Sequence, residues 1–395
     1  MTEPLDLVID FDRLHPGDGP AREAGRLLVG GGRVVDVVGR DATVPDGVRV
    51  VAGRTVVPGL INAHVHLESD AGPDAVAAVA GTSVPRRAVA AAARAEASLR
   101  AGVTAVRDLG SSERIAVEVG RAIADGVVSG PTVVAAGRAI CMTGGHGWFI
   151  GRQANGPWDV RTAVREQLAD GAGCIKFIAT GGVLTPGAIP GRDQLTAEEL
   201  TAGVDEAHRH GLRAAAHAIG TTGIHNAVRA GIDSIEHGHL IDATGIGLML
   251  EHGTALVPTL AALWNIVEAG EEGGMPASVL GKARAIAETA RDNLQAAVDA
   301  GVRVVAGSDA GTPYNPHHRF DHELDLLQSL LGFGPEAALR AATADAADLL
   351  GLESGRLRPG APADLLVLDH DLADPGALRD PRVVVKAGVV VGTSR

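Results

Sequence analysis

Cys174-Ile-Lys-Phe-Ile178, a helical stretch from Ala197 to His210, and Arg213-Ala-Ala-Ala-His217 follow one another in a chain of 395 residues. A short apolar strand, an Ala- and Glu-rich helix and a second short apolar strand form a βα repeat, the unit of a parallel sheet. The unit recurs outward on both sides. Strands are expected from Leu60-Ile-Asn-Ala-His-Val-His66, Thr104-Ala-Val-Arg-Asp108 and Thr132-Val-Val-Ala-Ala136 before it. After it come Ser234-Ile-Glu-His237, Ala255-Leu-Val-Pro-Thr259 and Arg303-Val-Val-Ala-Gly-Ser-Asp309. Helical stretches such as Val84 to Ala101, Met275 to Ala300 and Glu323 to Leu331 complete the alternation. Eight βα units over about 300 residues predict the α/β class and a (β/α)8 TIM barrel. No Gly-x-Gly-x-x-Gly opens a helix after the first strand, which argues against an open dinucleotide-binding sheet.

The flanks have a different texture. Arg26-Leu-Leu-Val-Gly30, Arg33-Val-Val-Asp-Val-Val38 and Thr55-Val-Val-Pro58 alternate between Gly-rich turns, and Asp364-Leu-Leu-Val-Leu-Asp369 and Arg382-Val-Val-Val-Lys386 repeat the pattern near the other end. Neither flank has enough strands for a stable sheet alone. Residues 1–58 and 355–395 are therefore expected to share one small β-sandwich, leaving 59–354 as the barrel domain.

Composition narrows the function. With 46% hydrophobic residues the chain can bury a large core, and a formal net charge of -13 with only three Trp, one Tyr and five Phe offers nothing to nucleic acid. No signal-like start and no apolar run of membrane-spanning length is seen, and Cys141 and Cys174 are too few for a disulfide framework. These features predict a cytoplasmic protein with no nucleic-acid or membrane partner, consistent with a small-molecule substrate. The Ala-rich stretch Ala88 to Ala101 could serve homo-oligomer contacts.

The chemistry should sit at the C-terminal strand ends. His64 and His66 are two apart in one strand and so face the same side; His217, His237 and Asp309 end three further strands. Four imidazoles and a carboxylate suit zinc or a similar metal. Any one of these His could be merely hydrogen-bonded; the joint pattern favours a ligand set. His239, past its strand end, is expected in a supporting or loop role. Lys176 is one of only three Lys in the chain and lies inside an apolar strand. Burial drives such an amine toward its neutral form, which can add carbon dioxide, although a Schiff-base or ion-pair role is open on the residue alone.

These motifs resemble the amidohydrolase superfamily: His64-Val-His66 after Val57-Pro-Gly-Leu-Ile-Asn-Ala63, Lys176, His217, Glu236-His237-Gly238 and Ser308-Asp309-Ala310-Gly311. Thr143-Gly-Gly-His146-Gly and Lys176-Phe-Ile-Ala-Thr-Gly-Gly182 are similar to the Xaa-Pro dipeptidase-like and imidazolonepropionase-like branch. The resemblance implies two divalent metal ions, usually zinc, with His64, His66 and Asp309 on one, His217 and His237 on the other, and carboxylated Lys176 as bridging ligand. It implies a metal-bridging hydroxide, Asp309 as catalytic general base and then acid, and His146 as the group that polarises the substrate carbonyl.

The expected reaction is hydrolysis of a C–N bond in an N-acyl amino acid, dipeptide or cyclic amide. Some members of the branch carry a Tyr two residues after the strand-five His, where this chain reads His217-Ala218-Ile219, a departure that leaves room for lactams and carbamates. A mononuclear deaminase of an amino-heterocycle and a non-catalytic barrel scaffold are the alternatives. Scarce aromatics gather after strands three and eight, and with nearby cations they nominate His146, Trp148, Arg152, Tyr314 and His318 as substrate-binding residues.

Overall fold

In the strand Arg22–Gly30, Leu27 and Val29 turn inward while Arg26 and Leu28 stay half-exposed, the two-residue period of a sheet with one face on a core. The computed structural model, which describes residues 5–393, places this strand in a seven-stranded sheet. Met1–Pro4 and residues 394–395, the outermost parts of the expected terminal segments, lie outside the described residues. The sheet order is Val389–Thr393, Val383–Lys386, Leu365–Leu368, Arg49–Pro58, Leu7–Leu14, Arg22–Gly30 and Arg33–Gly39. Its two halves, far apart in sequence, join where Leu365–Leu368 runs antiparallel to Thr55–Pro58. Phe11, Leu14, Leu27, Val56, Leu365 and Val385 form its own core. The sheet curls on itself: Ala363 N donates to Gly32 O at 2.9 Å and Gly388 N to Ala363 O at 3.0 Å, so the outer hairpin turns meet.

Between these ends, parallel strands alternate with helices. Leu60–Val65, Val103–Asp108 and Thr132–Ala135 make a three-stranded parallel sheet. Cys174–Ile178, Arg213–Ala218, Ser234–His237 and Ala255–Val257 are consecutive parallel neighbours in a second sheet. Its other edge carries Ala139–Cys141 and Gly151–Gln153, two short strands between the third and fourth strands expected from sequence. Every residue of Leu60–Val65, Val103–Asp108 and Cys174–Ile178 is buried, as in parallel strands covered on both faces. The helix Ala197–Arg209 shows how the covering layer forms. Thr196 and Glu199 close a capping box at its start, and Leu200, Val204 and Ala207 turn inward at helical spacing. In Val84–Arg100 the Ala-rich face is likewise turned inward through Ala91, Ala95 and Leu99.

The eighth expected strand, Arg303–Asp309, is not a regular strand. It bonds both sheets nonetheless: Val305 N donates to Leu256 O at 2.9 Å, Ala63 N to Ala306 O at 3.1 Å and Asp309 N to His64 O at 2.8 Å. Gly307 brings its bare Cα against the His64 backbone, where a Cβ would lie 2.9 Å from His64 N, and Asp309 takes a φ of 58°. These departures break the ladder. At the other edges Gly173 N donates to Ala135 O at 2.8 Å. Among the described residues no helix is long and apolar enough to cross a membrane.

Phe11 lies in the core that holds the two chain ends together. Phe11→Ala should cost about 3–5 kcal/mol, measured as a lower midpoint in chemical unfolding; an unchanged midpoint would mean that the terminal sheet does not limit stability.

Candidate metal centre

The C-terminal ends of the parallel strands surround one cavity, whose polar lining is His64, His66, His146, Lys176, His217, His237, His239 and Asp309 beside Ser69 and Thr312. Strand alternation puts His64 and His66 on one side, with ring centroids 5.4 Å apart. Both present Nε2 to Asp309 Oδ1, at 3.4 Å and 3.2 Å, and one ligand atom from each of the three lies within 4.8 Å of the others. His217 and His237 sit with ring centroids 4.5 Å apart, and His237 is 5.4 Å from His64. His237 and Asp309 have φ values of 72° and 58°, a left-handed conformation that side chains with a Cβ rarely adopt. At these two converging residues the surrounding sheet holds the strain. At His237 it also breaks the alternation, so that Glu236 and His237, adjacent in sequence, both serve the site.

Each ring is aimed by a bond on its other nitrogen. His66 Nδ1 donates to Gly110 O at 2.9 Å, since a carbonyl can only accept, and His217 Nε2 donates to Gly181 O at 3.4 Å. His64 Nδ1 donates to Glu236 at 2.8 Å. Burial works against ionised Glu236, but Arg107 and His64 outweigh it and hold the carboxyl at about 2. His237 Nδ1 lies 2.7 Å from Thr259 Oγ1. The nitrogens left free are therefore His64 Nε2, His66 Nε2 and His217 Nδ1. Burial pushes His64 down to about 4 and His217 and His237 well below the usual imidazole range, so these rings keep their lone pairs. Burial acts the same way on His66, but Asp309 and Asp108 outweigh it and raise that ring.

Lys176 is buried, its ammonium has no hydrogen-bond partner, and burial pushes it down to about 8. Asp309 Oδ1 also lacks a hydrogen-bond donor. Burial alone would raise Asp309; His64, His66 and Lys176 keep it ionised. Buried polar atoms are rarely left without partners. A basic nitrogen and a carboxylate oxygen left so, among rings with free lone pairs, fit divalent metal chemistry of the nitrogen–oxygen type that zinc favours.

His146 reaches the cavity with its ring centroid 4.5 Å from His217. Gln194 Oε1 accepts from its backbone N at 2.9 Å, Thr185 Oγ1 lies 2.8 Å from its Nδ1, and a side chain on Gly182 would collide with its ring. The other substrate-binding residues expected from sequence lie off the cavity. Arg152 is clamped by Glu166 at 2.9 and 3.0 Å and by Asp159 at 2.9 Å. The hydroxyl of Tyr314 donates to Gly273 O, His318 is exposed, and Trp148, 44% exposed, packs edge-on to Phe149. Trp158 is on the surface of the helix Pro157–Asp170. Of that aromatic group, Phe149 lines the cavity. His239, expected as a supporting or loop residue, is buried in the cavity wall beside His237.

Sequence reading missed Arg107 and Glu236. Arg107 is buried and donates to Ala63 O at 2.7 Å, Ser234 Oγ at 3.1 Å and Glu236 at 2.9 Å. The available signal was opposite charge inside two of the expected parallel strands, since buried charges must be paired.

The amidohydrolase family profile matches residues 55–394. The ochratoxinase of Aspergillus niger is 32% identical, over 95% of this chain and 84% of its own. A crystal structure of a Xaa-Pro dipeptidase with methionine in its active site superposes with a TM-score of 0.89 at 30% identity, covering 97% of this chain and 99% of that one. A prolidase with bound N-methylphosphonate-L-proline gives 0.89 at 31%, covering 98% and 100%.

Arg107→Met should destabilise by about 3–5 kcal/mol, because it leaves Glu236 buried and unpaired, and adding Glu236→Leu should recover most of the loss. Glu236 has a folded value near 2 against an ordinary 4.5. Its stabilisation is therefore present above pH 4.5 and lost as pH falls toward 2. Unfolding of metal-stripped Glu236→Gln across that interval should show a shallower pH dependence than wild type; equal slopes would remove Glu236 from the account.

Proposed function

The chain belongs to the amidohydrolase family, in its Xaa-Pro dipeptidase-like branch, and is a hydrolase of C–N bonds; from that premise we propose a two-metal amidase acting on a small acylated amine or lactam. The observation that carries the reading is Lys176, whose buried amine has no partner and whose charge acts on His64, His217, His237 and Asp309 together. In its neutral form the amine attacks carbon dioxide through its Nζ lone pair and releases a proton to water, giving a carbamate whose single negative charge is shared by two oxygens. His64, His66 and Asp309 would hold one ion, His217 and His237 the second, with the carbamate of Lys176 between them. When bound, two zinc ions would make the attacking water more acidic and polarise the substrate carbonyl.

The chain's own groups then move the protons. Asp309 accepts a proton from the attacking water and passes it to the leaving nitrogen, acting as base and then acid. Burial keeps His146 neutral, near 4. Thr185 Oγ1 accepts from Gly147 N at 3.2 Å and lies 2.8 Å from His146 Nδ1; where its hydroxyl donates to Nδ1, the ring carries its proton on Nε2. From there His146 donates to the substrate oxygen as negative charge develops.

In the same reading residues 59–354 form a (β/α)8 barrel, and 1–58 with 355–395 its β-sandwich. Support for closure comes from the bonds of Val305 and Ala306 to the neighbouring strands and of Gly173 to Ala135. Cys141 and Cys174, buried and unbridged, support a cytoplasmic setting.

Elemental analysis after preparation with zinc and bicarbonate should find near two ions per chain, and Lys176→Ala should lose at least one. With ¹³C-bicarbonate the wild type should give a carbamate carbon resonance that the variant lacks. One ion in both proteins, with no such resonance, would leave Lys176 a bystander and favour mononuclear deaminase chemistry.

A further inference from the structure

We infer that the cavity is built for neutral, lipophilic amides, with apolar groups on both arms of the scissile C–N bond and no free carboxylate. The inference rests on the amidase reading and narrows it against the N-acyl amino acids and dipeptides suggested by sequence. The cavity and its open mouth together span about 950 Å³, part of it bulk solvent. Two separate apolar groups line the cavity together with the polar residues. One is Ile219, Leu263 and Ile266, packed in a single cluster with Val183 and Leu184 against it. The other includes Ala139 and Ile178, from a separate cluster, with Ile150 and the half-buried Phe149.

Among the described residues, Lys176 is the only Lys or Arg that lines the cavity, and it belongs to the ligand set. Lys282, whose charge reaches His146, is held by the carbonyls of Val183 and Thr185 at 3.4 and 3.1 Å. Arg152 is occupied by Glu166 and Asp159, and Arg319 by Asp321. His239 adds an acceptor rather than a cation. Its Nε2 donates to Pro258 O at 3.2 Å, which leaves Nδ1 as a buried lone pair without a partner. That atom suits a neutral N–H and opposes a carboxylate. A carboxylate against these apolar walls would lose its hydration, whereas an alkyl or aryl arm gains by burial.

The test compares N-benzoyl-leucine with N-(3-methylbutyl)benzamide, which keeps both apolar arms and lacks the carboxylate. Each kcat/KM is measured with zinc-loaded wild type and divided by that amide's rate in hydroxide alone. The neutral amide should be favoured by at least about tenfold, reflecting the cost of burying an unpaired carboxylate. Leu184→Arg, which places a guanidinium on a partly exposed wall position, should move the ratio toward the acid by about tenfold through a bidentate ion pair. A wild-type ratio below tenfold, or one favouring the acid, overturns the inference and leaves the amidase reading in place. Turnover of neither amide, in protein carrying two ions, overturns both.

Discussion

A charge placed in a strand that is dry on both faces must find its partner within the sheet, and much of this molecule follows from how Arg107 does so. Leaving it unpaired would cost several kcal/mol. Arg107 reaches three neighbours: the Ala63 carbonyl, the Ser234 hydroxyl and the Glu236 carboxylate. Glu236 spends its other oxygen on His64 Nδ1, which leaves the Nε2 of that ring facing Asp309. One buried ion pair thus connects three strands and orients the His64 ring. The next residue does similar work for the second histidine. Asp108 accepts from Leu67 N at 2.7 Å and Gly110 N at 3.1 Å, fixing the turn whose Gly110 carbonyl takes His66 Nδ1. Both histidines of the first strand are therefore supported from the second.

The opposite side of the centre depends on backbone redirection at strand ends. His237 and Thr259 both have left-handed φ values, 72° and 49°, and their side chains meet at 2.7 Å. Immediately after Thr259 the helix Leu260–Ala269 begins, and Glu323 accepts from its first two backbone N–H groups at 2.9 and 2.7 Å. A carboxylate at a helix N-terminus satisfies donors that have no partner within the helix. Leu263 and Ile266 of that helix form a wall of the cavity. The buried Glu323 therefore helps to fix the apolar surface that a substrate arm would meet, although it lies outside the cavity lining.

Residue patterns made a good part of this legible. Short apolar runs mark strands buried on both faces and a 3.6-residue period marks amphipathic helices, so the α/β alternation and the strands carrying His64, His217 and His237 could be read directly. The two-residue spacing of His64 and His66 placed both rings on one side. Lys176 stood out because a chain that otherwise uses Arg put one of its few Lys in an apolar strand. The eighth segment was less legible: its composition suits a strand, but Gly307 packs on the backbone of His64 and Asp309 turns, so it bonds both neighbours without a regular ladder.

By itself the sequence determined the order of elements and the residue types offered at the strand ends, because both are set by local periodicity. Tertiary structure alone decided which long side chains reach the cavity. Arg152, Tyr314 and His318 follow the right strands, but Arg152 and Tyr314 bond to Glu166 and Gly273, and His318 faces solvent. Arg107 and Glu236, 129 residues apart, meet because their strands close on the same interior. His239 enters the wall because the chain turns at His237 rather than running straight. The physical reason is common to all of these. Periodicity fixes the face on which a residue begins, whereas the partner of a flexible charged or aromatic side chain depends on distances between segments that meet only after the chain has folded.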